Sequence, residues 1–260
     1  MVNSGIFLSG LDTKVISPRI ICLEEALSTN LVAKRLIDDG GSEGIIVIAD
    51  RQVNGRGRHG RRWYSPLGGL YLSIVLQPPA GAASSPLLGI MLANAAVSAL
   101  EETARLQARL KWPNDLLVNG KKLGGILSEL VPTTKGRLVA ILGIGINISS
   151  QILDFPDRLR NTMTTIAEES HVVPTREVLA SSIINNADSQ LQEVYETRAF
   201  DSILMNYAEI CETLGRDVMV RLSTENLRGT AVEIDASGGL IVKNRDGQHL
   251  VSAGEVIHLR

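Results

Sequence analysis

The stretch KWPNDLLVNGKKLGGILSE, residues 111–129, limits the fold more than any other part of the chain. Asn119–Gly120 stands between two apolar runs. An Asn-Gly pair in that setting makes a two-residue hairpin turn, because both residues accept the left-handed backbone the turn needs. Lys121 then faces Val118, Lys122 faces Leu117 and Gly124 faces Asp115. Side chains alternate along strands, so Asp115, Leu117, Lys122 and Gly124 share one face. Asp115 and Lys122 become diagonal neighbours, about 7–8 Å apart at the backbone, within reach of a shared ligand. Trp112-Pro113-Asn114-Asp115 interrupts the strand pattern and aims polar groups off its end. Gly124 and Gly125 remove side chains beside the pair, as a flat ligand or a close backbone contact requires. An ordinary hairpin with a surface lysine and a structural aspartate fits the same residues.

A second stretch, GRGRHGRRWYSP at residues 55–66, completes a run of five arginines between Arg51 and Arg62. No Asp or Glu occurs from Arg51 to Leu100, so nothing nearby in sequence neutralises them. Three readings compete: a solvated loop, a nucleic-acid patch in which Trp63 and Tyr64 stack on bases, and a small-molecule phosphate site. Glycines let backbone N–H groups approach a phosphate, and arginines offer forked, permanently charged donors. Placement favours the third reading. The loop follows the buried strand GIIVIAD, and ligands of open sheets sit at such strand ends. One short loop is also a small footprint for nucleic acid, which wants a basic face.

The remaining pattern predicts a strand in KVISPRIICLE and a helix in STNLVAKRLIDDGG, with a Ser/Thr start and a Gly40–Gly41 stop. GLYLSIVLQ alternates like a strand and ends at Pro78–Pro79. PLLGIMLANAAVSAL reads as a buried helix begun by Pro86, too short and too rich in Ala and Ser to span a bilayer. LVAILGIGINIS is a further strand. From Thr175 to Leu214 the period is helical, with a break near Ala199–Asp201. From Gly215 the texture changes to short strands in RDVMVRL, RGTAVEID, GLIVKN and HLVSAGEVIHL, a small separate β-barrel. The expected domains are therefore 1–213 and 214–260.

The net charge of −2 excludes a molecule that is a polyanion binder as a whole. The charge is uneven: residues 1–150 carry 16 basic against 11 acidic residues, and residues 151–212 carry 4 against 11. That split predicts a positive site followed by an acidic helical face. Cys22 and Cys211 are too few and too far apart for a disulfide framework or a metal pattern. No basic segment precedes IFLSGL, so a signal peptide is not expected, and a cytosolic setting is.

Taken together, the blocks STN at 28–30, GRGRHGRRW at 55–63, KWPNDLLVNGKKLGGILSE at 111–129 and GIGIN at 143–147 closely resemble biotin–protein ligases. The resemblance implies an α+β fold. Its mixed-sheet catalytic domain is like class II aminoacyl-tRNA synthetases, and a small SH3-like barrel follows it. Matched residue by residue, it assigns biotin contacts to Ser28, Thr29, Asn30, Gln52, Gly55, Arg56, Gly57, Arg58, Lys122 and Gly125. It assigns nucleotide contacts to Arg56, Arg58, Trp63, Asn114, Lys122 and Asn147, and catalytic roles to Lys122, Arg58 and Asp115. ATP and biotin are the implied substrates, and magnesium enters on the phosphates, with no protein ligands assigned. Leu27 stands where the family usually has an acid, and His59 where a further arginine is common. About two dozen residues precede STN, too few for the helix-turn-helix domain of many bacterial members. The expectation is an enzyme without specific DNA binding and without a membrane anchor, either monomer or homodimer.

The implied reaction joins biotin's carboxylate to the α-phosphate of ATP, releases pyrophosphate, and passes the biotinyl group to a lysine of a biotin carboxyl carrier protein. Bringing anion to anion needs preorganised positive charge. The glycine-hinged arginine loop is expected to be a lid that orders over biotinyl-5′-AMP and excludes water. Lipoate–protein ligases share the chemistry and the catalytic fold but not the arginine loop. A nucleic-acid-binding module would instead show salt-steep binding and no ATP turnover.

Overall fold

The computed structural model describes residues 4–79, 85–134, 136–222 and 225–259. In chain order the elements are α1 (Ser4–Ser9), β1 (Arg19–Ala26), α2 (Thr29–Asp38), β2 (Ile45–Gln52), β3 (Gly69–Leu76), α3 (Ser85–Ala104), β4 (Arg109–Lys111), β5 (Asp115–Val118), β6 (Lys121–Pro132) and β7 (Leu138–Asn147). After them come α4 (Asp157–Arg160), α5 (Ile166–Glu169), α6 (Arg176–Thr197), α7 (Asp201–Ile210), β8 (Asp217–Arg221), β9 (Asn226–Ile234), β10 (Leu240–Asn244), β11 (Gly247–Val251) and β12 (Glu255–His258).

Seven strands form one mixed sheet in the order β1-β2-β3-β7-β6-β5-β4, parallel between β1 and β2 and antiparallel elsewhere. The alternation of β2 sorts its residues onto two faces. Ile46 and Ile48 join the large core beneath α3 and α6, while Ile45 and Val47 pack with Ala33 and Ile37 of α2. Both faces are therefore covered, and all eight residues of β3 are buried. Five antiparallel strands make the C-terminal unit, in the order β11-β10-β9-β8-β12. This is the α+β arrangement expected, with two departures. HLVSAGEVIHL is two strands, β11 and β12, separated by the Ser252–Gly254 turn, and the strand predicted in KVISPRIICLE begins only at Arg19.

The helix begun near Pro86 is longer than expected: Pro86–Ala104 is long and apolar enough by composition to cross a membrane. It is instead a core helix, since Leu88, Met91, Leu92, Ala95, Ala96, Ala99 and Leu100 are buried in the protein. Burying each large side chain of this kind contributes about 1.5–3 kcal/mol. The break between α6 and α7 falls at Arg198, whose left-handed backbone (φ 58°) ends the helix. The acidic helical face is only partly a surface. Asp188 of α6 is buried, and its carboxylate accepts backbone N–H groups from Lys14, Val15 and Ile16 at 2.8, 2.9 and 2.6 Å, which fastens the N-terminal segment.

Candidate active site

The hairpin predicted at Asn119–Gly120 is present, with both residues at positive φ. Val118 pairs with Lys121 and Leu117 with Lys122, but the register then slips, so that Leu116 faces Gly124 and Asp115 faces Gly125. The placement of Gly124 opposite Asp115 is thus corrected. A bulge adds one residue to β6 and turns Gly125 toward the pair. A Cβ on Gly125 would lie 3.5 Å from Lys122 Cε, whereas one on Gly124 would meet Leu116 and the Gly145 carbonyl on the other face. The bulge also closes the diagonal, and Lys122 Nζ lies 2.6 Å from Asp115 Oδ1, both half-buried.

The pair faces a cavity of about 290 Å³ at the strand ends. Of the residues singled out by sequence, Ser28, Thr29, Asn30, Gln52, Arg56, Gly57, Arg58, Trp63, Asn114, Asp115, Lys122, Gly125 and Asn147 all line it. Gly55 does not; it is buried behind the wall, where a side chain would collide with the Trp63 carbonyl and Ser65. Gln52 is locked by accepting the Thr29 N–H at 2.8 Å and donating to Ser65 Oγ at 2.8 Å. Asn30 is held from two sides, by the Ser73 hydroxyl at 2.6 Å and by its own donation to Glu129 at 2.7 Å. Ser28 precedes α2 without making a side-chain cap, and lies on the cavity wall instead. Leu27 turns outward, about half exposed, while its carbonyl accepts from the Asn54 N–H.

The arginines divide. Arg51 pairs with Glu25 at 2.8 Å, Arg61 makes a two-pronged bond to Glu255 of β12, and Arg62 lies over Tyr64 and donates to the Val53 carbonyl. The acids missing from the neighbouring sequence are therefore supplied from β1 and from the C-terminal unit. Arg58 alone of the five is half-buried, in the cavity wall. Burial lowers its guanidinium from the ordinary value and Asp115 opposes that shift; arginine stays charged at neutral pH. The Arg61 hydrogen bond holds the Glu255 carboxyl below its usual range. His59 sits at φ 55°, in the left-handed region, and is exposed at the loop tip.

Two buried polar atoms of the wall have no hydrogen-bond partner among the described residues: Trp63 Nε1 and Asn147 Oδ1. Asn147 donates its amide to the Thr164 carbonyl, so the oxygen remains for a ligand. Asn114, by contrast, spends its amide on the Ile126 carbonyl and holds β6 in place.

Several contributors were not read from sequence. Ser73 shows as the lone serine in an otherwise apolar and aromatic strand, a signal that was available. Gly143 and Gly145 admit Asn30 and the Trp63 indole onto β7, where a side chain would collide. Phe155, Leu159, Thr162 and Met163 close the cavity from the α4 region, and Lys122 makes backbone bonds with Thr162 and Thr164. Glu255 is 194 residues from Arg61, beyond any local signal.

A profile of the Biotin/lipoate A/B protein ligase family matches residues 28–147, and one described as the biotin protein ligase C terminal domain matches residues 213–259. The biotin–[acetyl-CoA-carboxylase] ligase of Paracoccus denitrificans is 32% identical, over 88% of this chain and 96% of its own. The bifunctional ligase/repressor BirA of Bacillus subtilis is 32% identical over 95% of this chain, a match that covers 76% of that protein. Among solved structures, a biotin protein ligase from Aquifex aeolicus in complex with biotin and ATP superposes with a TM-score of 0.79 at 30% identity, covering 93% of this chain and 99% of that one.

Proposed function

The chain belongs to the biotin/lipoate A/B protein ligase family, among its biotin–protein ligases, and from that premise we propose that it activates biotin with ATP and transfers it to a lysine of a carboxylase's carrier domain. The observation that carries this reading is the Lys122–Asp115 pair at 2.6 Å, sharing one cavity with Arg58, Thr29 and Gln52. Thr29 and Gln52 fit the polar ring end of biotin, and Lys122 and Arg58 fit its carboxylate and the α-phosphate.

In the first step a biotin carboxylate oxygen attacks the α-phosphorus, a P–O bond breaks, and pyrophosphate leaves with the electron pair. Lys122 and Arg58 hold positive charge where the two anions meet, and a half-buried site strengthens that effect. No group of three or more His, Cys, Asp or Glu side chains suited to a metal occurs among the described residues. A magnesium ion brought in on the phosphates fits Asp115 and the unpartnered Asn147 Oδ1, and would offset phosphate charge there. In the second step the carrier amine attacks the acyl carbon, an amide forms, the acyl–phosphate bond breaks and AMP leaves. Asp115 accepts the amine's proton in this reading. A cytoplasmic setting, where ATP and a carboxylase carrier are both at hand, is part of this proposal.

The test is incubation with biotin, magnesium-ATP and a purified carrier domain. One biotin per carrier and one AMP per biotin are expected, with lipoate a far poorer substrate. Unlabelled carrier, or pyrophosphate release driven by lipoate and not biotin, would overturn the assignment.

A further inference from the structure

A second cavity, of about 340 Å³, adjoins the first. The two share Arg58, His59, Pro113, Asn114, Ile126 and Leu127 as a common wall. Its other sides are the start of α3 at Pro86–Ile90, Ser128, and two turns of the C-terminal unit, at Gly238 and at Ser252–Ala253. The frame is fixed: Trp112 Nε1 donates to the Gly238 carbonyl at 3.0 Å, and a Cβ on Gly238 would press on Ile90 and Pro86.

Three features say what such a cavity can take. First, among the described residues its walls are mostly apolar and carry no carboxylate; Arg58 and His59 are the only charged or titratable side chains among them, and both lie on the shared wall. A triphosphate would find too little positive charge, while an alkyl chain would be at home. Second, Gly89 stands inside α3, where glycine costs about 0.5–1 kcal/mol relative to alanine. Nothing forbids a side chain there, since the nearest atom to a Cβ would be Ser128 Cβ at 3.6 Å. Glycine at this position leaves the cavity wide. Third, biotin and ATP occupy the first cavity in the proposed reaction, so the attacking amine needs its own way in.

Resting on that reading, we infer that the second cavity is the channel through which the carrier's lysine side chain reaches biotinyl-5′-AMP. The butyl stem lies along the apolar wall between Gly89 and Ala253, and the amine arrives at the shared wall beside Arg58 and Asn114. Lysine enters as an ammonium and must lose a proton to attack. Apolar walls and the Arg58 charge both disfavour the ammonium, so the channel itself promotes the neutral nucleophile. The lone pair forms the C–N bond to the acyl carbon, the acyl C–O bond to phosphate breaks, AMP leaves, and the proton passes to Asp115.

Narrowing the channel from either side tests this. Gly89→Leu fills it from the helix, and Ala253→Trp fills it from an exposed turn where folding is least at risk. Biotinyl-5′-AMP formation is measured by pyrophosphate release, and single-turnover transfer from preformed adenylate is measured at saturating carrier. Both variants should form adenylate within about twofold of the parent enzyme. Saturated transfer should fall about 100-fold, the scale on which a 1 Å displacement of reacting groups acts. Hydroxylamine, which has no stem, should still capture the adenylate at the parent rate. Unchanged saturated transfer in either folded variant overturns the channel, as does a change confined to the carrier KM, or a parallel loss of adenylation. If Gly89→Leu does not fold, Ala253→Trp decides alone. Should the parent enzyme form no adenylate from biotin and ATP, the proposed function fails instead, whatever the variants do.

Discussion

The hairpin at residues 115–125 and the arginine loop at 51–62 supply the charges of one cavity, and they are built in opposite ways. The hairpin is self-sufficient. Its turn is encoded by Asn119–Gly120, its lysine meets its aspartate across seven residues, and its bulge brings Gly125 beside them. The loop depends on the rest of the molecule. Glu25 and Glu255 take Arg51 and Arg61, and Tyr64 takes Arg62, which leaves Arg56 and Arg58 on the cavity, Arg58 the more buried of the two. A short-range element can be preorganised before any ligand arrives. A loop held by exposed ion pairs, each worth about 0–1 kcal/mol, is one we propose to move and then be fixed by its ligand.

The largest expected effect comes from breaking the hairpin's pair. Lys122→Ala should slow adenylate formation by about 10²–10³, because a preorganised charge at the reacting atoms is lost. Stopped-flow pyrophosphate release on the folded variant checks this, and a rate near the parent's would remove Lys122 from the chemistry.

The loop's arginines should separate next. Arg58→Ala should cost about 10² in the same assay, whereas Arg61→Ala, an exposed side chain paired with Glu255, should cost at most about fivefold. Equal losses would mean that the inward turn of Arg58 has no catalytic meaning.

The seam between the C-terminal unit and the hairpin should respond to pH. His258 Nε2 lies 3.1 Å from Thr213 Oγ1, and that hydroxyl oxygen accepts the Trp112 N–H at 3.0 Å. Burial, with Lys111 and Arg216 nearby, lowers the His258 pKa to about 4. A folded pKa below the ordinary value of about 6.5 gives stability that is complete above pH 6.5 and is lost as pH falls toward 4. After allowance for the partial exposure of the ring, the loss is about 1–2 kcal/mol. Thermal melts of the parent protein and His258→Gln across that window should converge at low pH; parallel curves would exclude His258 as the cause.

Glu255→Gln should have the smallest effect. The Glu255 carboxyl is held low by Arg61, so its contribution is present above the ordinary carboxylate range and disappears as pH falls through its depressed value. The pair is exposed, so less than about 1 kcal/mol is at stake, and 0.5 M salt should erase the difference from the parent protein. A large, salt-insensitive effect would make Glu255 part of the chemistry.

The contrast between the two regions also explains what the sequence made legible. The turn, the strands on either side and the proximity of Lys122 to Asp115 follow from residues a few positions apart. The bulge was missed because an Asn-Gly turn specifies only the first pairs beyond it, and Gly124 and Gly125 are chemically the same. The strands of the C-terminal unit were legible as texture, but the boundary between β11 and β12 was not, because Ser252-Ala253-Gly254 is short and weakly polar. The partners of the arginines were out of reach, since pairing of Arg61 with Glu255 follows from how two sheets pack. Segment 155–163 carries no strong period, and its closure over the cavity depends on backbone bonds to Lys122.

One digestion compares both regions in a single tube. Trypsin can cut at Arg56, Arg58, Arg61 and Arg62 in the loop and at Lys121 and Lys122 in the hairpin. If the hairpin is preformed and the loop is completed by its ligand, the hairpin sites should resist cleavage under all conditions. The loop sites should be cut quickly in the free protein and slowly once biotin and magnesium-ATP are both present. Equal cleavage of the loop with and without the ligands would contradict the account.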